Sequence, residues 1–482
     1  MTAMAAISTP DAFAQKPANQ PNVLMLIVDD WGANDLSLTG SKLYETHQID
    51  ELAKESTTFS QAYVAYPRSV PSRYAMITGR HCARPQASAK GDDRKVDADS
   101  YCIAMPFKEG GYETFFIGKW HLSDNTTFPQ DKGFDINIGG GKAGATSSYF
   151  APFNKKSQND SDKLIVGMED APEGEYLTDY MIRKTTDYLQ QPHEKPFFAV
   201  CSFYAVHTPL EAKKEMTERY TRKIKQMGLE ADPMMKEEAG DRKTQQDHPV
   251  YAAMIESVDE GVGKLITTLK EKGIYDNTII VLISDHGGLS NRGNKRELAT
   301  TNYPLKAGKG HLYEGGIRVP LLIHNAGQKK AYAINTPVTS YDLLPTLADM
   351  CNLPVDPKAE LDGISIKPQV NGKESTDKNK RDLFWHKATE RPGSTGDYIS
   401  SAIRSGDYKL IDFYNQGRIE LYDLKNDPGE TKNLATEQPA LTAELLSKLD
   451  GWRNNTQVKM SSNPNKEKKE TKGKQKHKIK PL

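Results

Sequence analysis

The feature that most constrains this chain is a recurring run of strand length with almost no polar interruption. Val23–Val28, Thr114–Ile117, Phe197–Phe203, Thr278–Ile283 and Val319–Ile323 are near-continuous apolar stretches rich in β-branched and aromatic residues. A strand that is apolar on both faces must be covered on both faces. Helical patterns such as Tyr176–Leu189 and Tyr251–Lys270 lie between these runs and can supply the cover. The alternation predicts an α/β fold: a large, mostly parallel sheet sandwiched by helices. In such sheets ligands bind outside the carboxyl ends of the strands, so the reactive residues should sit where the apolar runs stop.

The texture changes after about residue 365. Ser400–Arg404, Tyr408–Phe413 and Ile419–Leu424 read as short strands joined by turns, followed by an amphipathic helix over Ala440–Trp452. The expected organisation is a catalytic α/β domain over 21–365, a smaller C-terminal unit over 366–460 with an antiparallel sheet and a helix, and a basic tail over 461–482. Residues 1–20 hold a short apolar stretch ending in Ala12-Phe13-Ala14, the small-residue pattern cut by signal peptidases. They read as a trimmed or weak export signal, which implies a periplasmic or extracellular location.

Composition narrows the function. Lys plus Arg number 64 and Asp plus Glu number 64, giving a formal net charge of zero, whereas a generic nucleic-acid binder carries a basic surplus. From Lys466 to Lys480 there are eight Lys and two Glu, so this segment carries +6 and the remainder −6. With few apolar groups to bury, the tail is expected to be disordered. No apolar run approaches the roughly 18–20 residues needed to cross a bilayer, and four cysteines are too few for a disulfide scaffold.

Two strand ends are acidic. Val23–Val28 runs into Asp29-Asp30, and Thr278–Ser284 runs into Asp285-His286. Carboxylates gathered at strand ends repel one another unless a cation neutralises them, and an oxygen-rich set favours a hard divalent ion such as Ca²⁺ or Mg²⁺. Ser69-Val70-Pro71-Ser72-Arg73 places Ser69 just ahead of an expected helix that Gly79 would close. Free backbone N–H groups there favour an anion. Lys119 and His121 follow another strand and, in an extended chain, would share a face. His207 follows the Phe197–Phe203 run, and Lys309 and His311 lie in a glycine-flanked turn. A metal, several cations and a helix N-terminus together suit a tetrahedral oxyanion such as sulfate or phosphate.

These motifs resemble the formylglycine-dependent sulfatases of the alkaline phosphatase superfamily over about Pro21 to Trp452. The resemblance rests on Ser69-Val70-Pro71-Ser72-Arg73 with Thr78-Gly79-Arg80, Gly118-Lys119-Trp120-His121 and Ser284-Asp285-His286-Gly287. It extends to Gly308-Lys309-Gly310, Glu314-Gly315-Gly316-Ile317-Arg318 and the closing Leu421-Tyr422-Asp423-Leu424. It implies that Asp29, Asp30, Asp285 and His286 bind Ca²⁺, Mg²⁺ being the lesser alternative, with position 69 reaching the same ion. Ser69 would be oxidised to formylglycine by a maturation enzyme, and one hydroxyl of its hydrate would attack sulfur. Lys119, Lys309 and His207 would grip the sulfate oxygens, His207 also protonating the leaving oxygen. Arg73 would orient position 69, and His121 would take the proton that lets the aldehyde reform. The chain departs from the family pattern at Ser69, where many members have Cys; at His286, where some have Asn; and at His311, a position often held by Thr.

Three functions follow as expectations. The first is hydrolysis of sulfate esters on a sulfated carbohydrate, with Arg292, Arg296 and His311 as candidate substrate contacts. The second is phosphate or phosphonate ester hydrolysis. The third is a non-catalytic binder of sulfated glycans, if Ser69 stays unmodified.

Overall fold

The computed structural model describes residues 20–86, 94–123, 126–155, 162–237, 240–375 and 381–461. The proposed export signal, up to residue 19, and the basic tail from residue 462 lie outside the described residues.

Eight strands form the main sheet: β1 (Asn22–Val28), β2 (Thr57–Phe59), β3 (Glu113–Gly118), β4 (Ile136–Ile138), β5 (Phe197–Ser202), β6 (Thr278–Ser284), β7 (Leu321–His324) and β8 (Tyr332–Ile334). Their order across the sheet is β8-β2-β7-β6-β1-β5-β3-β4. β1 lies between β5 and β6 and is parallel to both, with Leu24 opposite Ala199 and Ile280. Only β7 runs against its neighbours.

The central strands are apolar through their middles because each serves two cores. Val23, Met25 and Ile27 point into one, with Tyr74, Met76 and Ile77 of helix α1 (Ser69–Thr78). Leu24, Leu26 and Val28 point into the other, with Tyr180 and Met181 of α2 (Leu177–Gln190) and Met254 and Leu265 of α3 (Pro249–Glu271). This is the period-two consequence of a strand buried on both faces.

The Val319–Ile323 run is two strands, not one. Arg318–Val319 pairs antiparallel with Ala62–Tyr63 in a separate three-stranded sheet, and Leu321–His324 enters the main sheet as β7. Pro320 lies between them and has no N–H to donate to a ladder. The remaining expected strands and helices appear within a few residues of their expected ends.

C-terminal to these elements, β9 (Leu383–Lys387), β10 (Ser400–Ser405), β11 (Tyr408–Phe413) and β12 (Arg418–Asp423) form an antiparallel sheet in sequential order. Trp385, Ala402 and Ile411 on one face join the α1 core, while Ile403, Leu410 and Leu421 on the other pack against Leu445 and Leu449 of α4 (Pro439–Asn455).

Candidate active site

The acidic residues converge where the sheet rule places them. β1 and β6 are adjacent and in register through Val28 and Ser284, so the residues following them emerge side by side. Asp29, Asp30, Asp285 and His286 are buried, and one ligand atom from each lies within 4.8 Å of the others. Asp30 takes a left-handed φ of 60°, and its N–H donates to Oδ1 of Asp285 at 3.2 Å. Nδ1 of His286 faces the Gly287 carbonyl at 3.1 Å. Its proton resides there, which leaves the Nε2 lone pair directed at the group.

Ser69 is the first residue of α1 rather than the residue before it, with Arg68 in the extended N-cap conformation. Its Oγ lies 3.2 Å from Asp29 Oδ1 and 3.1 Å from His286 Nε2, and accepts from Lys119 Nζ at 3.2 Å. Helix α1 is anchored to the strand ends by Ser72 Oγ, which donates to the Asp285 carbonyl. Arg73, one turn on, donates from Nε to Asp285 Oδ2 (2.9 Å) and from Nη1 to Lys119 O (2.9 Å) and Ser202 Oγ (2.7 Å). Its Nη2 is buried 3.7 Å from Asp29 Oδ1 without a hydrogen bond.

Two lysines complete the floor. Lys119 Nζ lies 2.5 Å from Asp29 Oδ2, and Lys309 Nζ lies 2.6 and 2.8 Å from the two oxygens of Asp30. His207 Nε2 lies 3.8 Å from Asp30 Oδ2, and its Nδ1 is held by the Thr208 carbonyl at 2.6 Å. Lys119 and His121 both line the cavity above Ser69, but not because the chain stays extended. Gly118 (φ 100°) and His121 (φ 62°) are both left-handed. At Gly118 a Cβ would stand 2.1 Å from the Ser202 carbonyl oxygen, so only glycine fits.

The electrostatics are those of opposed charges buried together. Burial, reinforced by Asp285, pushes the Asp29 carboxyl up to about 7 against the pull of Lys119 and Arg73. Burial also acts on Asp30, but Lys309, His207 and His286 outweigh it and hold that carboxyl below its ordinary range. Asp285 is likewise held down, by His286, Arg73 and Lys119 against burial. Burial and then Lys309 push His207 down to about 3, and burial followed by Lys119 and Arg73 holds His121 far below its usual value. Three carboxylates with one imidazole lone pair form a donor set suited to a hard divalent cation.

Above this floor lies a cavity of about 780 Å³. Its wall includes Arg68, Lys95, Lys142, Thr389 and Arg391, residues that sequence reasoning missed. Arg68 adjoins the Ser69 motif and had a signal; the other four lie in loops whose local sequence carries none. The structure does not bring Arg292, Arg296 or His311 to this cavity. Arg292 Nη1 donates to the Arg296 carbonyl, and Arg296 Nη1 to Ser394 Oγ at 3.3 Å, tying their loop to the back of the segment that carries Arg391. His311 faces the Thr395 carbonyl at 2.8 Å and lines a separate pocket of about 270 Å³ with Tyr313 and Glu420.

A mostly parallel sheet whose strand ends gather buried carboxylates, lysines and a hydroxyl at a helix N-terminus is an arrangement able to hold a tetrahedral oxyanion. The family described as Sulfatase matches residues 21–353, and the C-terminal region described for N-sulphoglucosamine sulphohydrolase matches residues 307–455. A sulfatase of Formosa agariphila is 30% identical, the match covering 91% of this chain and 90% of that one. An ulvan-active sulfatase of the same organism is 27% identical over 90% of this chain and 82% of its own length. The crystal structure of Ps i-CgsB in complex with k-i-k-neocarrahexaose superposes with a TM-score of 0.71 at 29% identity, covering 93% of this chain and 96% of that one. The chain belongs to the sulfatase family of the alkaline phosphatase superfamily and is a sulfuric ester hydrolase.

Proposed function

We propose that the protein hydrolyses sulfate esters of a carbohydrate, with position 69 as the nucleophile. The observation that carries this reading is the placement of Ser69 Oγ, 3.1–3.2 Å from Asp29, His286 and Lys119 at the foot of the cavity. Asp29, Asp30, Asp285 and His286 would hold one divalent cation, Ca²⁺ by donor type, supplying positive charge against the negative charge that develops at position 69. Oxidation of Ser69 to formylglycine by a maturation enzyme would supply a hydrated aldehyde as the attacking group.

The remaining roles belong to side chains in place. Lys119 and Lys309 present ammonium groups to the sulfate oxygens. Arg73 fixes Asp285 and the Lys119 carbonyl, so it sets the distance between the acidic floor and position 69. His207 is neutral beside Lys309; an arriving anion offsets that lysine and raises the ring's affinity for the proton it passes to the leaving oxygen. His121, held neutral by burial and by Lys119, is in the state required of a proton acceptor.

A carbohydrate is supported by the cavity, whose volume suits a sugar unit or two, and by relatives whose names refer to ulvan and to a bound hexaose. An exported location accords with the apolar N-terminal stretch.

Two measurements test the reading. The mass of the peptide containing position 69, from protein made in its native host, should be lower than that of Ser by one hydrogen molecule; unmodified Ser69 would favour the binder. Rates on a sulfate and a phosphate ester of one phenol should favour sulfate, and faster phosphate release would overturn the assignment.

A further inference from the structure

His121 and His207 both face the cavity, and one short segment of chain, 144–149, abuts the two of them. At Gly144 a Cβ would stand 2.2 Å from His121 Nε2. Five residues on, the hydroxyl of the buried Tyr149 lies 2.6 Å from the Tyr204 carbonyl and 2.8 Å from the His207 carbonyl. Those carbonyls sit at the two ends of a turn in which the His207 N–H donates to Tyr204 O at 3.1 Å. One phenol proton is thus shared across the turn. Burial holds this phenol far above its ordinary range, so it keeps that proton. The turn is also tied to the acidic floor through the main chain: Asp29 N–H donates to Ala205 O at 2.9 Å and Val206 N–H to Asp29 O at 2.8 Å. Beyond it, Glu211 Oε2 accepts from Tyr149 N–H at 2.7 Å and from Ser148 Oγ at 3.1 Å. The two segments are therefore clasped at both ends.

The His207 ring is oriented by its own main chain, because Nδ1 is held by the Thr208 carbonyl at 2.6 Å. A shift of the backbone at His207 therefore carries Nε2 with it. We infer that Tyr149 is a positioning residue for His207: its hydroxyl fixes the main chain from which the imidazole is aimed. Tyr149 is not among the described residues that line the cavity, so it acts through the histidine and not on the substrate. The inference rests on the reading of His207 as the group that protonates the leaving oxygen. When the S–O bond breaks, its electron pair stays with that oxygen, which takes the proton from Nε2. Misplacement of the ring costs most where the leaving group most needs the proton.

The test uses the full chain, made in its native host, with Tyr149→Phe, which keeps the buried ring and removes only the hydroxyl. The substrates are a nitrophenyl sulfate, whose leaving group is stable as an anion, and a methylphenyl sulfate, whose leaving group is not. Tyr149→Phe should lower kcat/KM about tenfold on the methylphenyl ester and about twofold on the nitrophenyl ester. His207→Ala should split the two esters in the same direction. Tyr176→Phe should not, since that hydroxyl donates to the Glu211 carbonyl at 2.9 Å instead. A second readout needs no turnover: the Nε2 resonance of His207, assigned by its absence from His207→Ala, should shift in Tyr149→Phe. An unchanged resonance overturns the positioning role, as do equal effects of Tyr149→Phe on two esters that His207→Ala splits, or the same split in Tyr176→Phe. If His207→Ala splits nothing while the resonance moves, the reading of His207 as the acid fails and the positioning role stands.

Discussion

Lys119 and Asp29 reach each other from the ends of β3 and β1, Nζ to Oδ2 at 2.5 Å, with neither side chain exposed. The same ammonium lies 3.2 Å from Ser69 Oγ, so one lysine ties the acidic floor to the Ser69 hydroxyl. Lys119→Ala removes a preorganised charge from a buried position, and the expected cost is about 10²–10³ in kcat/KM on an aryl sulfate. Steady-state kinetics check this; a loss under threefold would remove Lys119 from the sulfate pocket.

The carboxylate group predicts a response to metal. Chelation followed by dialysis should lower the melting temperature, and added Ca²⁺ should restore it in a concentration-dependent way, the stabilisation reaching about 2.7 kcal/mol at a hundredfold excess over Kd. Asp285→Asn should abolish the calcium response. Scanning calorimetry reads both, and a melting temperature indifferent to Ca²⁺ would count against the donor set.

Gly144 supports His121 by having no side chain. A Cβ there would stand 2.2 Å from His121 Nε2 and 2.3 Å from Cε1, whereas at Gly141 the nearest atom is 3.8 Å away. Gly144→Ala should therefore displace the imidazole and lower kcat at least tenfold, with Gly141→Ala within about twofold. Similar kcat values for the two variants would show that the ring position is immaterial.

Much of the floor was legible because strand ends are written in sequence. Continuous apolar runs identify β1 and β6, and the first charged residues after them, Asp29 and Asp285, are then at the carboxyl edge. Turns were less legible: nothing local revealed that Gly118 and His121 are both left-handed, or that Pro320 divides one run between two sheets. The cavity wall was least legible. Lys95, Lys142 and Arg391 meet only through long-range packing, and Arg292, near in sequence to the Asp285 strand end, turns toward Arg296 instead.

Lys409 Nζ bridges Glu314 (3.0 Å) and Glu430 (2.9 Å), all three side chains being buried. Burial, with Glu314 adding to it, pushes Glu430 up to about 7. Lys409→Met removes the cation between two buried carboxyls, with Arg318 remaining 3.9 Å from Glu314, and should destabilise the protein by about 3–5 kcal/mol. Adding Glu430→Gln should recover part of this in urea unfolding; a cost under about 1 kcal/mol would mean that the carboxyls find other partners.

His386, on β9, contacts Ser401 Oγ at 2.7 Å and the Lys459 carbonyl at 3.2 Å. Burial pushes it down to about 3. The folded chain thus binds fewer protons at this site than the unfolded chain below pH 6.5. Its contribution is complete above that pH and is lost as the pH falls from 6.5 toward 3, by at most about 1.4 kcal/mol per unit. His386→Gln should flatten the decline in stability between pH 6.5 and 5. An unchanged slope contradicts the assignment.

The floor of the site hangs from strands whose apolar side chains are committed to one of two cores, so a substitution there is felt by the whole fold. Lys95, Lys142 and Arg391 stand in loops, where exchange of one residue disturbs little packing. Descendants of this chain can therefore reshape the cavity wall several times over while the buried floor stays where it is.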